Sequence, residues 1–219
     1  MASRQIAVYG AGGFGREVAW LAQSCSTSLA PCEVTCFIDD DEDIWGTVLN
    51  GIPATGLKEA YERFPEAEVA GGIGVPRVRQ VTMEKAAGMG FRLATLIHPR
   101  VERSQWIEIG EGAVICAGNI LTTNIRLGRG VQVNLDCTIG HDVVMGDYTT
   151  LAPGVHVSGW VHFGKRVYVG TGAVIINGTP EAPLTIEDDV VIGAAACVIR
   201  PVAAGLTVVG VPAKAVGEK

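Results

Sequence analysis

Two consecutive sixes decide the fold: Ile139-Gly140-His141-Asp142-Val143-Val144 and Met145-Gly146-Asp147-Tyr148-Thr149-Thr150. Each opens on an apolar residue, continues with glycine and carries Val or Thr at its fifth place. The same frame runs backward and forward. Its first positions are Ile109, Ile115, Leu121, Leu127, Val133, Ile139, Met145, Leu151, Val157, Phe163, Val169 and Ile175, all apolar. With 48% of the chain hydrophobic, such a run is roughly a one-in-several-thousand coincidence. Second positions are often small (Gly110, Gly128, Gly140, Gly146, Ala152, Ser158, Gly164, Gly170), and fifth positions are usually small or β-branched. A period of six matches neither an α-helix nor an alternating strand. It matches a hexapeptide solenoid, in which a short strand and a tight turn alternate and three sixes close one coil. Residues eighteen apart then stack. The frame breaks at Glu181–Thr185 and resumes at Ile186, Ile192 and Val198, so the break is predicted to be an extruded loop.

The N-terminal half has another grammar. Gln5–Gly10 reads as a buried strand, followed by Gly10-Ala11-Gly12-Gly13-Phe14-Gly15 and a helical run, Arg16–Gln23. A second strand, Glu33–Ile38, ends in Asp39-Asp40-Asp41. Glycines between a strand and a helix let a phosphate approach the backbone, and the helix N-terminus offers free N–H groups. The acidic cluster is placed to hold a ribose or a base edge. The alternative is a tight turn with no ligand. A third strand, Val69–Ile73, leads through Gly74 to a helix opening at Pro76 and carrying Arg79. Only one mononucleotide-binding half fits before Ile97-His98-Pro99, so a nucleotide-linked small molecule suits the size better than a dinucleotide. The expected organisation is an α/β Rossmann-like half domain, residues 1–98, and an all-β solenoid, residues 99–219.

The chain carries four histidines. His141 is third in its six, where the side chain projects outward, and Asp142 follows it. A neighbouring carboxylate favours the imidazolium and raises basicity. One coil on stands Gly159, which leaves room over the ring and offers a backbone N–H. A base beside such a donor is the minimum for acyl transfer. His156 and His162 fall on different faces and cannot share a metal within one chain. Pro99 makes His98 structural.

Composition narrows the classes. Net charge is −6 with no basic cluster, which argues against nucleic acid or an anionic membrane as partner. No apolar stretch approaches a bilayer span, and the N-terminus enters a strand directly. The expectation is a cytoplasmic protein. Its six cysteines form no C-x-x-C pair and are expected reduced and mostly buried.

Together these motifs resemble left-handed β-helix acyltransferases and, over nearly the whole chain, the bacterial sugar acetyltransferases grouped with sialic acid O-acetyltransferase. The resemblance is nearest to N-acetyltransferases of nucleotide-linked 4-amino-sugars, of the bacillosamine and perosamine type. The carrying motifs are Gly10–Gly15, Asp39-Asp40, Gly74 with Arg79, Ile97-His98-Pro99, Gly140-His141-Asp142 and Gly210-Val211-Pro212-Ala213-Lys214. The resemblance implies left-handedness, a homotrimer, and acetyl-CoA as acyl donor lying between adjacent subunits. It implies nucleotide-sugar binding by Gly12, Gly13, Phe14, Asp39, Asp40 and Gly74, and catalysis by His141 with Asp142. It places the donor at Thr150, Gly159, Thr171, Ala194 and Lys214. Phe14 stands where relatives often carry His, and Thr150 where the bacillosamine-type enzyme has a second histidine. Some left-handed β-helices are zinc carbonic anhydrases with three histidine ligands. No close His pair accompanies His141 here, so no metal is expected. N-acetylation is the first reading, O-acetylation of a sialic-acid-type sugar the second, and a non-enzymatic scaffold the third.

Overall fold

The computed structural model describes residues 3–216. The chain divides into two compact units, Met1–Pro99 with Glu111–Val114, and Arg100–Gly110 with Ile115–Lys219.

The first unit is an α/β layer structure. Its elements are β1 (Arg4–Tyr9), α1 (Gly13–Ser24), β2 (Cys32–Ile38), β3 (Val48–Leu49), β4 (Ile52–Thr55), α2 (Leu57–Arg63), β5 (Glu68–Gly71), α3 (Pro76–Met89) and β6 (Arg92–Leu93). The sheet order is β3-β4-β2-β1-β5-β6, with only β3 antiparallel to its neighbour. Central strands buried on both faces read as unbroken apolar runs. Ile6–Val8 and Cys36–Ile38 have no exposed surface, and Tyr9 has almost none. Helix α1 turns Val18, Ala19, Leu21 and Ala22 inward. It begins three residues earlier than the sequence suggests, because the glycine turn winds directly into it: the Arg16 N–H donates to the Gly12 carbonyl at 3.2 Å. His98 is buried, its ring 5.8 Å from that of Trp20.

The second unit is a left-handed parallel β-helix. One face stacks Glu102–Arg103, Ile120–Leu121, Thr138–Ile139, His156–Val157, Val174–Ile175 and Cys197–Val198. A second stacks Ile107–Ile109, Ile125–Leu127, Val144–Met145, Val161–Phe163 and Leu184–Ile186. The third runs from Gln132–Val133 through Thr150–Leu151 and Val191–Ile192 to Lys214–Ala215. First-position residues form the core ladders, among them Ile139–Val157–Ile175–Val198 and Met145–Phe163–Ile186, all buried. Each rung contributes about 1.5–3 kcal/mol relative to exposure.

Turns between strands place the fourth residue of a six in the left-handed region. Asn124, Asp142 and Trp160 have φ of +54°, +57° and +57°, a conformation that Asn and Asp tolerate best. The extruded loop differs from expectation. Leu184 and Thr185 are not in it: they belong to a strand, Leu184 opposite Val161 and Thr185 opposite His162. Leu184 is buried, so its apolar side chain holds the strand in the wall. The five extra residues bulge at 179–183 instead, after Gly178, whose N–H still donates to the Gly159 carbonyl at 3.1 Å, and coil spacing there widens from eighteen (Val157 to Ile175) to twenty-three (Ile175 to Val198).

Candidate active site

His141 stands at the corner between the first and second faces, with 55% of its side chain exposed. Its Nδ1 lies 2.8 Å from Asp142 Oδ2. An ionised carboxylate only accepts, so Nδ1 carries the proton and the Nε2 lone pair is left for a substrate. The second Asp142 oxygen, Oδ1, accepts from Asn124 Nδ2 at 3.2 Å, one coil below. Trp160, one coil above Asp142, meets the imidazole edge-on, with ring centroids 6.2 Å apart and planes at 80°. Gly159 lies against the ring: a Cβ there would be 2.5 Å from Cε1, 2.6 Å from Nε2 and 2.9 Å from Nδ1 of His141. This contact bears directly on the open space that the sequence suggests at Gly159, because the imidazole already fills it.

The backbone donors at this corner differ from those at the next. Between the second and third faces, third-position aspartates cap the coil below: Asp147 Oδ1 accepts from the Arg129 N–H at 2.9 Å and Asp188 Oδ1 from the Lys165 N–H at 2.8 Å. At the His141 corner the third positions are Thr123, His141, Gly159 and Asn177, and none provides such a cap. Among the described residues the Gly159 N–H has no hydrogen-bond partner. A free N–H beside an imidazole with a bare Nε2 is the arrangement an oxyanion and a departing proton require.

A cavity of about 530 Å³ adjoins Asp142, lined among others by Trp106, Glu108, Arg126, Trp160 and His162. Sequence reasoning missed these residues. The available signal was Trp160 itself, a bulky residue at the turn position where the two coils below carry Asp142 and Asn124.

The other expected donor-binding residues do not join this corner within one chain. Thr171 and Ala194 stack on each other's coil at the corner between the third and first faces, where the Ala195 N–H donates to the Thr171 carbonyl at 2.8 Å. Lys214 is exposed in the terminal strand, paired with Val209. Thr150 is only 4% exposed and lines no part of the cavity beside Asp142.

In the first unit the glycines divide by role. A Cβ on Gly15 would run into the Gly10 carbonyl, and one on Gly10 into Ile73 and Gly72, so these pack the turn against the sheet. Gly12 and Gly74 have nothing within 4 Å of a Cβ position, and Gly13 has only the Arg16 Nη2 at 4.0 Å. Helix α1 has no side-chain cap and no acid in its first turn, which leaves its N-terminal dipole to attract an anion. Phe14 is half-buried. Buried Arg79 holds the Gly74 loop through Nη1, which donates to the Ile73 and Gly74 carbonyls at 2.9 and 3.1 Å.

The two aspartates are more occupied than expected. Asp39 Oδ2 accepts from the Ala11 N–H at 2.8 Å and Oδ1 from the Asp41 N–H at 3.1 Å. Asp40 receives Lys85 Nζ at 2.6 Å and the Tyr9 hydroxyl at 2.7 Å. Lys85 first and Tyr9 second hold the Asp40 carboxyl below its ordinary value of 3.8. Burial and the bond to Asp40 push the Tyr9 phenol up. Both carboxylates therefore shape the turn edge through protein partners.

Residues 5–86 match the PglD N-terminal domain family. GDP-perosamine N-acetyltransferase of Escherichia coli O157:H7 is 32% identical over 217 residues, covering 94% of each chain. The acetyltransferase domain of PglB from Neisseria gonorrhoeae, solved with acetyl coenzyme A, is 33% identical with a TM-score of 0.86, covering 98% of this chain and 100% of that one. A histidine variant of perosamine N-acetyltransferase from Caulobacter crescentus, solved with CoA and GDP-perosamine, is 28% identical with a TM-score of 0.88, covering 99% of both. The chain belongs to this hexapeptide acyltransferase family. As a member it is an acetyltransferase, and its fold matches that of its solved relatives over 98–99% of the chain. Among the described residues no group of three His, Cys, Asp or Glu is arranged to hold a metal ion. No described helix is long and apolar enough to cross a membrane.

Proposed function

We propose that this chain transfers the acetyl group of acetyl-CoA to the amino group of a nucleotide-linked 4-amino-deoxysugar, with His141 as general base. The supporting observation is the 2.8 Å contact from His141 Nδ1 to Asp142, which leaves Nε2 free to accept a proton. The neutral amine attacks the thioester carbonyl and forms the C–N bond. His141 Nε2 takes the amine proton, and Asp142 stabilises the imidazolium. The Gly159 N–H supports the oxyanion. Collapse breaks the C–S bond, and the imidazolium returns its proton to the thiolate, giving amide and CoA thiol. An amine is already a nucleophile, so the base removes a proton rather than creating reactivity.

The first unit binds the nucleotide-sugar, with its diphosphate over Gly12, Gly13 and the start of α1 and Gly74 on the neighbouring loop. Asp39 and Asp40 build that edge, and Phe14 flanks it. Acetyl-CoA lies between copies of a homotrimer. One copy supplies the His141–Asp142–Gly159 corner, and its neighbour supplies Thr171 and Ala194, with Lys214 toward the CoA phosphates. Two corners that do not converge within one chain favour this reading.

The test is thiol release from acetyl-CoA with paired nucleotide-linked 4-amino and 4-hydroxy sugars. Turnover with the amine alone supports N-acetylation, and turnover with the hydroxyl alone overturns it in favour of O-acetylation. An unchanged rate in His141→Ala would remove the histidine from the mechanism.

A further inference from the structure

We infer that Asn124 is a positioning residue for the reaction, clamping Asp142 from one coil below so that the His141 imidazole keeps a single tautomer and orientation. The inference rests on the reading of His141 as the base. Asn124 Nδ2 donates to Asp142 Oδ1 at 3.2 Å, while Oδ2 of the same carboxylate engages His141 Nδ1 at 2.8 Å. The carboxylate is thus held at both oxygens and cannot swing without losing one bond.

The fold explains why this clamp exists. Asn124 and Asp142 are both fourth residues of their sixes, both left-handed, and one coil apart. The turn repeats its geometry from coil to coil and stacks one fourth-position side chain on the next. Asn suits the lower place for two reasons. It tolerates the left-handed backbone, and its amide is a neutral donor that an ionised carboxylate accepts. An aspartate there would tolerate the backbone equally and repel Asp142. A hydrogen bond to a charged group, felt in full at the reacting centre, corresponds to about a ten- to hundredfold effect on rate.

Charge around Asp142 also comes from Glu108, Arg126 and His162, which line the cavity beside it, and these stay constant in the comparison below. Asn124→Gly removes the amide at no backbone cost, since glycine adopts positive φ freely. Asn124→Asp keeps the shape and replaces the donor by a negative charge. For Asn124→Gly, which loses one hydrogen bond to a charged group, kcat is expected to fall about tenfold with little change in KM for either substrate. Asn124→Asp is expected to lose more activity. Its added negative charge should move the acid limb of the kcat–pH profile to higher pH, because an imidazole beside more negative charge holds its proton longer. In an Asp142→Ala background Asn124→Gly should cost nothing further, since nothing remains for it to clamp.

Wild-type kcat and an unmoved acid limb in both variants would overturn the inference. So would an equal loss with and without Asp142, which would mark Asn124 as acting elsewhere. His141→Ala, measured in parallel, separates the two levels. If it keeps its rate, the base assignment fails. If it loses its rate while the Asn124 variants do not, only the clamp fails.

Discussion

Replacing Gly159 by alanine tests the proposed role of the His141 corner with the smallest change available. The new Cβ would lie 2.5–2.9 Å from three atoms of the His141 ring, where ordinary contact needs about 3.5–4.0 Å. The imidazole must therefore retreat by about 1 Å. Its bond to Asp142 is 2.8 Å and lapses beyond about 3.2 Å, so the retreat breaks it. A hydrogen bond to a charged group contributes about 1.5–3 kcal/mol, equivalent to about ten- to 150-fold in rate. A misplacement of about 1 Å independently suggests a hundredfold loss. The expected result is a kcat lower by roughly a hundredfold with both KM values near wild type. The melting temperature should hardly move, because residue 159 needs no positive φ and the displaced group is an exposed side chain. Thiol release at saturating substrates is the assay. Native turnover within about twofold in a folded Gly159→Ala enzyme would refute the close packing of ring and backbone. Gly140→Ala is the contrast: its Cβ would meet the Gly159 nitrogen and Ser158 carbonyl carbon at 2.7 Å, so it should lower the melting temperature.

Three further outcomes are expected. His141→Ala should reduce kcat by about 10²–10⁴-fold while binding of CoA, followed by calorimetry, persists. Gly12→Asp places a negative charge at the start of α1, and should raise KM for the nucleotide-sugar severalfold without changing KM for acetyl-CoA; equal changes in both would argue against a phosphate site there. Lys85→Met should destabilise the protein in denaturant melts at neutral pH by less than about 1 kcal/mol, the scale of an exposed pair. Asp40 is held below its ordinary 3.8, so its stabilising contribution is present above that pH and vanishes as pH falls through the lower folded value. The difference between Lys85→Met and wild type should therefore shrink in acid, and a difference that grows there would contradict the pairing.

The solenoid was legible because its rule is local: an apolar residue every six places predicts which side chains turn inward, from Ile109 to Ile175. The bulge was misplaced because frame counting treats Leu184 and Thr185 as surplus, whereas burial of Leu184 beside Val161 decides where the strand resumes. The same counting places His141 outward and Gly159 directly over it. It also puts Thr171 one coil and two faces beyond His141, a separation that resemblance alone did not reveal. The clamp by Asn124 lay outside a reading centred on first positions, since it depends on the direction a left-handed turn gives its fourth side chain. In the first unit the glycine turn and its helix were readable. The occupation of Asp40 was not, because one of its partners, Lys85, is 45 residues away in sequence.

The separation of the two corners has a genetic consequence. If one site takes its histidine edge from one copy and its Thr171–Ala194 edge from another, the unit of activity is a junction and not a polypeptide. Two defective alleles, His141→Ala and Thr171→Trp, would each be silent alone. Coexpressed in equal amounts, they would assemble about a quarter of their junctions from two intact edges by random mixing around a ring. Each chain would then rescue the other without either regaining what it lost.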